Sequence, residues 1–230
     1  MREPDGEAVA ASAAAIFDDA IAVALAQRGV AHIALAGGTT PERAYELVAP
    51  AGWEGVELWF GDERCVPPDD PESNYLMVAH KLLRHAPGAV VHRIEGELGA
   101  ESAAGAYEAK LRERVAAAGS MPCLDLVLLG IGEDGHTASL FPGDPVLDAH
   151  GAACVAVHNA PKPPPDRVSL SLELLREARI CVLLAVGAGK AGPLARALGE
   201  PTRAVPSSLL ARERLTVLAD AAALAELPDG

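Results

Sequence analysis

Leu124-Asp-Leu-Val-Leu-Leu-Gly-Ile-Gly-Glu-Asp-Gly-His-Thr-Ala-Ser-Leu-Phe-Pro-Gly143 is the stretch whose reading decides the fold. An apolar run, Leu124 to Leu129 with only Asp125 interrupting it, stops abruptly at a glycine-rich loop. That loop carries one carboxylate, Asp134, and one imidazole, His136. The run reads as a buried strand and the loop as its carboxyl end, where ligands bind in open α/β sheets. A histidine held there can exchange protons near neutral pH, which suits a general base. The plainer alternative is a turn that happens to contain a histidine.

The same strand-then-loop pattern recurs on either side. Residues 7–28 are Ala-rich with one apolar face and a glycine stop at Gly29, an amphipathic helix. A short strand at 32–36 runs into Gly37-Gly-Thr-Thr-Pro41, where Thr40 is the expected cap and Pro41 the first residue of a helix to about 49. A second strand, 56–60, ends in Gly61-Asp-Glu-Arg64; Pro67, Pro68 and Pro71 force a loop, and Ser73 caps a helix through about 84. A strand near 89–94 and a helix over about 100–118 precede the opening strand. Beyond it, strands are expected at 152–157, 167–172, 180–186 and 215–218. Pro161 to Pro165 forms a stiff extended segment, and Gly187-Ala-Gly-Lys190 opens a helix to about 198. Strands alternating with helices predict one α/β domain: a doubly wound, mostly parallel, Rossmann-like sheet with helices on both faces.

The 230 residues suffice for a full core, and at 3% aromatic content Ala, Leu and Val must fill it. A net charge of −13 argues against nucleic acid or an anionic membrane as partner. An acidic protein that binds an anion must concentrate its few cations locally. The four cysteines, Cys65, Cys123, Cys154 and Cys181, are widely spaced, so disulfide and zinc readings are weak and a reducing, cytoplasmic setting is expected. No uninterrupted apolar run approaches the ~18 residues that span a bilayer, and the acidic N-terminus is unlike a signal peptide.

Four strand ends carry the chemistry. Gly37, Gly38, Thr39 and Thr40 stand at a helix start, where glycines let a phosphate approach backbone N–H groups and threonines add hydroxyls; a simple capped turn is the alternative. Asp62 could orient a sugar hydroxyl and Arg64 clamp a phosphate, although such charge runs are usually solvated. Arg167 and Lys190 would each pass as a surface cation alone; with Arg64 they would supply the local positive charge an anion needs. The other six histidines lack a comparable setting, with His32 and His92 in strands and His80 and His85 on a polar helix, and no metal site is expected.

Together these segments resemble the superfamily of 6-phosphogluconolactonases and glucosamine-6-phosphate isomerases/deaminases. The resemblance rests on residues 36–41, 59–64 with Ser73-Asn74, 130–142, 161–170 and Gly187-x-x-Lys190, in family order over most of the chain. It implies hydrolysis of a phosphosugar lactone without metal or organic cofactor; whether the chain is a monomer or small homo-oligomer is left open by the sequence. His136 would be the general base, with Asp134 orienting it. Gly37 to Thr40, Asp62, Arg64, Arg167 and Lys190 would hold the substrate. The deaminases of the family place a glutamate five residues after the histidine; here that position is Phe141, which cannot transfer a proton, and this points to the lactonase branch. Glu173 and Arg176, Gly189 and Val217 depart from the family pattern and bear on the pocket rim. A non-catalytic sugar-phosphate sensor would need a DNA-binding module, and no basic helix-turn-helix segment is visible.

Overall fold

The structure, a computed structural model, describes residues 1–227. Seven strands form one sheet in the order Arg2–Glu3, Leu215–Asp220, Ile180–Ala185, Leu126–Gly130, Ala31–Leu35, Val56–Phe60, Val90–Val91. Each neighbouring pair is parallel. Ala31–Leu35 and Val56–Phe60 are buried along their whole length, as strands covered on both sides must be. Different helices provide the cover. Successive strand residues point to opposite faces. Trp59 meets Tyr107 of the helix Ala100–Arg114 at 5.7 Å between ring centroids, whereas Phe60 meets Tyr75 of the helix Asn74–Lys81 at 6.1 Å. Helices therefore lie on both faces, as the alternation of elements predicts.

The order of the strands fixes where a ligand can sit. From Ala31–Leu35 the chain moves outward through Val56–Phe60 to Val90–Val91. It then returns to Leu126–Gly130 on the other side of Ala31–Leu35 and moves outward the opposite way. The direction reverses between those two central strands, so the loops leaving their carboxyl ends diverge and open a crevice. Residues 36–38 and 131–136 are those loops.

Several expectations need correction. The segments 152–157 and 167–172 do not join the main sheet. Cys154–Val157 and Arg167–Leu170 pair antiparallel with each other and with Asp62–Arg64, which reads as a loop in sequence, in a separate three-stranded sheet. Gly38, at φ +101°, caps the helix Thr39–Leu47 in place of Thr40, so Pro41 is its third residue. The helix from Ala100 stops at Arg114, because Val115 turns extended and 117–122 fold back as a small hairpin about Gly119, φ +66°. The strand near 89–94 shrinks to Val90–Val91, and the helix after Ser73 ends at Lys81 with a 3-10 turn beyond it. His85 is half-buried against the Tyr45 carbonyl rather than exposed.

The N-terminal helix Gly6–Arg28 stops at Gly29, φ +73°, as its sequence predicts, and at its start Asp5 accepts the Ala8 N–H at 2.9 Å. Although Asp18 and Asp19 break its apolar run, the helix is long and apolar enough to cross a membrane. Its apolar face, including Val9, Ala13, Phe17 and Ile21, is instead buried in the core.

At the amino ends of the central strands, polar groups are buried in defined pairs. Asp125, the one interruption in the opening apolar run, accepts the His32 N–H at 2.9 Å and pairs with Arg28 at 2.8 Å and Arg179 at 3.2 Å. Glu57 receives Arg114 at 2.5 Å and His92 Nε2 at 3.0 Å, and Trp59 stacks on His92 at 4.0 Å. Burial holds both His32 and His92 below the ordinary imidazole value, with Glu57 opposing that shift from beside them. Because their folded values are depressed, the unfolded chain binds protons first as pH falls. The stability these rings contribute is therefore complete above about pH 6.5 and is lost as pH drops toward their folded values. Urea unfolding between pH 7 and pH 5 should show a loss of stability that is smaller in the double variant His32→Gln/His92→Gln. An identical pH slope in both proteins would contradict this.

Candidate active site

The strand Leu126–Gly130 delivers a tightly closed loop. The Gly132 N–H donates to the His136 carbonyl at 2.9 Å and the Gly135 N–H to the Gly132 carbonyl at 3.0 Å, with Gly135 at φ +89°. Ser207 braces the loop from outside, its N–H and hydroxyl both donating to the Gly135 carbonyl, at 3.1 and 2.9 Å. The imidazole of His136 lies back over this backbone so closely that a Cβ on Gly132 would run into its Nδ1 and Cε1. Phe141, buried, packs on the ring at 4.7 Å between centroids.

Asp134 touches His136, a contact that the sequence alone leaves open. Its Oδ1 lies 2.5 Å from His136 Nδ1 and also accepts the His136 backbone N–H at 3.2 Å. Burial would raise this carboxyl, but the hydrogen bonds from the His136 ring and backbone outweigh burial and hold it below the ordinary carboxylate value. An ionised Asp134 keeps the proton on Nδ1, which leaves the lone pair on Nε2; this tautomer is assigned from the contacts. His136 lines the cleft, whereas Asp134 stands behind it.

That cleft has a volume of about 410 Å³, and every other predicted site residue lines it: Gly37, Gly38, Thr39, Thr40, Asp62, Arg64, Arg167 and Lys190. The small antiparallel sheet sets the cationic wall, because its register places Arg167 directly opposite Arg64. Arg167 is 5% exposed; its Nε donates to the Pro164 carbonyl at 3.1 Å and its Nη2 to that of Lys162 at 3.0 Å. Burial lowers its guanidinium from the ordinary value, and the charge of Arg64 adds to that. Arg64 donates through Nη1 to the Glu72 carbonyl, while its buried Nε finds no acceptor among the described residues. Lys190 donates to the Ile131 carbonyl at 2.7 Å, tying the Gly187–Lys190 turn to the histidine loop; burial lowers its ammonium.

Opposite stands the first turn of Thr39–Leu47, where the N–H groups of Thr39 and Thr40 have no intrahelical acceptor. Asp62, 7% exposed, accepts the Ser139 hydroxyl at 2.6 Å and the Asn74 amide at 3.3 Å. Asn74 and Glu72 line the cleft without having been assigned to it from sequence. Asn74 approaches Gly37 so closely that a Cβ there would overlap its Oδ1. Glu63 explains how Asn74 is placed: its buried carboxylate accepts the N–H groups of Asn74 at 2.7 Å and Tyr75 at 2.8 Å and the Ser73 hydroxyl at 3.0 Å. Among the described residues, no three His, Cys, Asp or Glu side chains converge, and the four cysteines are free thiols.

A family model described as glucosamine-6-phosphate isomerases/6-phosphogluconolactonase matches residues 4–218. The 6-phosphogluconolactonase of Mycobacterium tuberculosis is 36% identical over 238 residues, covering 98% of this chain and 96% of that protein. That of Streptomyces coelicolor is 38% identical over 245 residues, covering 97% and 92%. The solved 6-phosphogluconolactonase of Trypanosoma brucei matches with a TM-score of 0.87 at 26% identity, over 99% of this chain and 98% of that one. A monomeric glucosamine-6-phosphate deaminase, 22% identical with a TM-score of 0.81, shares the fold.

The close packing of the imidazole on Gly132 gives a direct test. Gly132→Ala should cost about 1–3 kcal/mol in denaturant unfolding, as overpacking does, and should push the ring away from Asp134. Nitrogen NMR of the imidazole reads the second effect as loss of the Nδ1–H tautomer. A retained tautomer would show that the glycine is not what positions the ring.

Proposed function

The chain belongs to the glucosamine-6-phosphate isomerase/6-phosphogluconolactonase family, as an enzyme of its lactonase branch, and we propose that it hydrolyses 6-phospho-D-glucono-1,5-lactone to 6-phospho-D-gluconate, a step of the oxidative pentose phosphate pathway. The observation that carries the mechanism is the 2.5 Å contact between His136 Nδ1 and Asp134, which leaves Nε2 basic in a cleft walled by arginine and lysine.

In this reading Nε2 takes a proton from water as the water oxygen attacks the lactone carbonyl. The tetrahedral intermediate collapses with cleavage of the bond from the carbonyl carbon to the ring oxygen. The imidazolium then returns its proton to that oxygen, so the ring opens to a carboxylic acid that ionises. Asp134 balances the charge of the imidazolium between these two transfers. Gly37 to Thr40, Arg64, Arg167 and Lys190 hold the 6-phosphate, and fixing that remote group sets the carbonyl against the base. Asp62, oriented by Ser139 and Asn74, is placed to accept a sugar hydroxyl. The free thiols suit a reducing, cytoplasmic compartment.

Amino-sugar isomerisation is disfavoured by Phe141. Its buried ring stands against the imidazole and offers no group to move a proton during ring opening.

The lactone opens slowly on its own, so decay of freshly generated substrate must be compared across proteins. Wild type should accelerate it strongly, and His136→Ala should lose about 10²- to 10⁴-fold of that rate, the usual worth of a positioned base. Equal rates would remove His136 from the mechanism. Arg64→Ala should lower kcat/KM about tenfold or more, as expected when a charged hydrogen bond is lost; an unaltered kcat/KM would take Arg64 out of the phosphate site.

A further inference from the structure

Phe141 touches two groups of opposite duty, the histidine of the loop and an arginine of the small sheet. Its ring packs on the His136 imidazole with 4.7 Å between centroids and 44° between planes. The same ring carries Arg167, whose guanidinium carbon stands over it at 5.6 Å from the centroid. At that distance a cation is attracted to the electron-rich face of an aromatic ring. Phe141 and Arg167 are 4% and 5% exposed, so little water competes for the contact. The guanidinium cannot drift away, because Nε and Nη2 are anchored on the carbonyls of Pro164 and Lys162. Those carbonyls belong to a strap, residues 160–165, that the Ala160 N–H closes on the Pro165 carbonyl at 2.9 Å.

The backbone that delivers the ring is just as fixed. The Leu140 N–H donates to the Thr137 carbonyl at 3.0 Å, closing a turn in which Ala138 takes φ +48°, a conformation that residues with a Cβ rarely adopt. The Thr137 hydroxyl ties the start of the turn to the Gly130 carbonyl at 2.9 Å, on the strand that leads to His136. Ser139 ties its middle to the small sheet. Its hydroxyl donates to Asp62 at 2.6 Å, and its N–H donates to the Ser169 hydroxyl at 3.3 Å. Those two residues lie on the strands that carry Arg64 and Arg167. The turn before Phe141 therefore spans the two parts of the fold that its ring joins.

Charge gives this arrangement a use. Arg167 is a buried cation, and in the proposed hydrolysis a second positive charge forms on His136 each time the base takes a proton. Two cations so near each other in a water-poor cleft repel. An aliphatic side chain between them would compensate neither. A carboxylate would neutralise Arg167 outright and compete with an anionic substrate for it. A phenyl ring has no net charge, yet its negative face attracts a cation. We propose that Phe141 is a positioning residue for the base: it shares one ring between His136 and Arg167, holding the imidazole against Asp134 and easing the formation of an imidazolium beside a buried guanidinium. The consequence for rate rests on the lactonase reading; the shared ring does not.

Wild type is compared with Phe141→Leu and with a protein carrying trifluorinated phenylalanine at position 141. Fluorination nearly keeps the shape of the ring but drains electron density from its face, so it separates electrostatics from packing. In both proteins kcat for the 6-phospholactone should fall about tenfold, the worth of a desolvated cation–π contact, while the dissociation constant of inorganic phosphate, read by calorimetry, stays within about threefold. Unchanged kcat with the fluorinated ring would overturn the proposal. So would a loss of phosphate affinity as large as the loss of kcat, since the ring would then serve the cationic wall alone. Proton NMR gives a readout that needs no turnover. The His136 Cε1–H and the Arg167 Nε–H should both carry a ring-current displacement in wild type that is lost in Phe141→Leu; a displacement confined to one of them would equally overturn the proposal. If wild type failed to accelerate lactone opening, the reaction reading would fall while the NMR comparison still decided whether the ring is shared.

Discussion

Arg64 and Arg167 stand directly opposite each other on antiparallel strands, and much of the site follows from that pairing. Like charges in facing positions repel, and here one of the two is almost fully buried. The fold meets the cost with backbone carbonyls. Lys162 and Pro164 accept from Arg167, and Glu72 accepts from Arg64. These contacts turn a repulsive pair into a rigid wall, and they also fix the strap at 160–165 and the turn at Glu72. Among the described residues the Nε of Arg64 is left without a partner, so they do not fully satisfy the wall. In the proposed reading a dianionic ligand would supply the missing acceptor, in a chain whose net charge is −13.

The wall is also tied to the loop that carries His136. Lys190 supplies the link, since its ammonium belongs to the cationic wall while its hydrogen bond to the Ile131 carbonyl anchors the histidine loop. Ser139 supplies another: it lies three residues beyond His136 and donates to Asp62, on the strand that carries Arg64. The cationic wall and the His136 loop thus share two struts. Binding energy collected at one end of a substrate can then be spent on alignment at the other.

Most of this chemistry was legible in the sequence because it sits where an apolar run breaks into glycine. The breaks at Gly37, Gly61, Gly130 and Gly187 mark strand ends, and a parallel sheet gathers such ends on one edge. Asp134 and His136, two residues apart in a tight loop, had little freedom to be anywhere but in contact. What the sequence hid is long-range pairing. Asp62-Glu-Arg64 reads as a charged loop because a three-residue strand has too few positions to show alternation. Its partner lies about a hundred residues further along the chain, so only the folded register reveals that Arg64 faces Arg167. Asn74 was equally hidden, since its position depends on the Glu63 carboxylate receiving a helix start eleven residues away. Gly37 was a partial signal: a glycine that must yield space to an amide side chain looks, in sequence, like a glycine that must yield space to a phosphate.

The opening run carries polar groups at both ends, for opposite reasons. Asp125 sits at the amino end, buried and matched by Arg28, Arg179 and the His32 N–H, so its charge is spent locking the strand against its neighbour. His136 sits past the carboxyl end and lines the cleft, with its Nδ1 matched by Asp134. A buried polar group with every partner present adds rigidity, whereas one with a partner missing costs free energy until a ligand supplies it. The strand between them is buried and hydrogen-bonded on both sides, so it has no freedom to absorb a shift at either end. Asp125 therefore contributes to the placement of His136 from the far edge of the sheet, by fixing the register from which the loop departs.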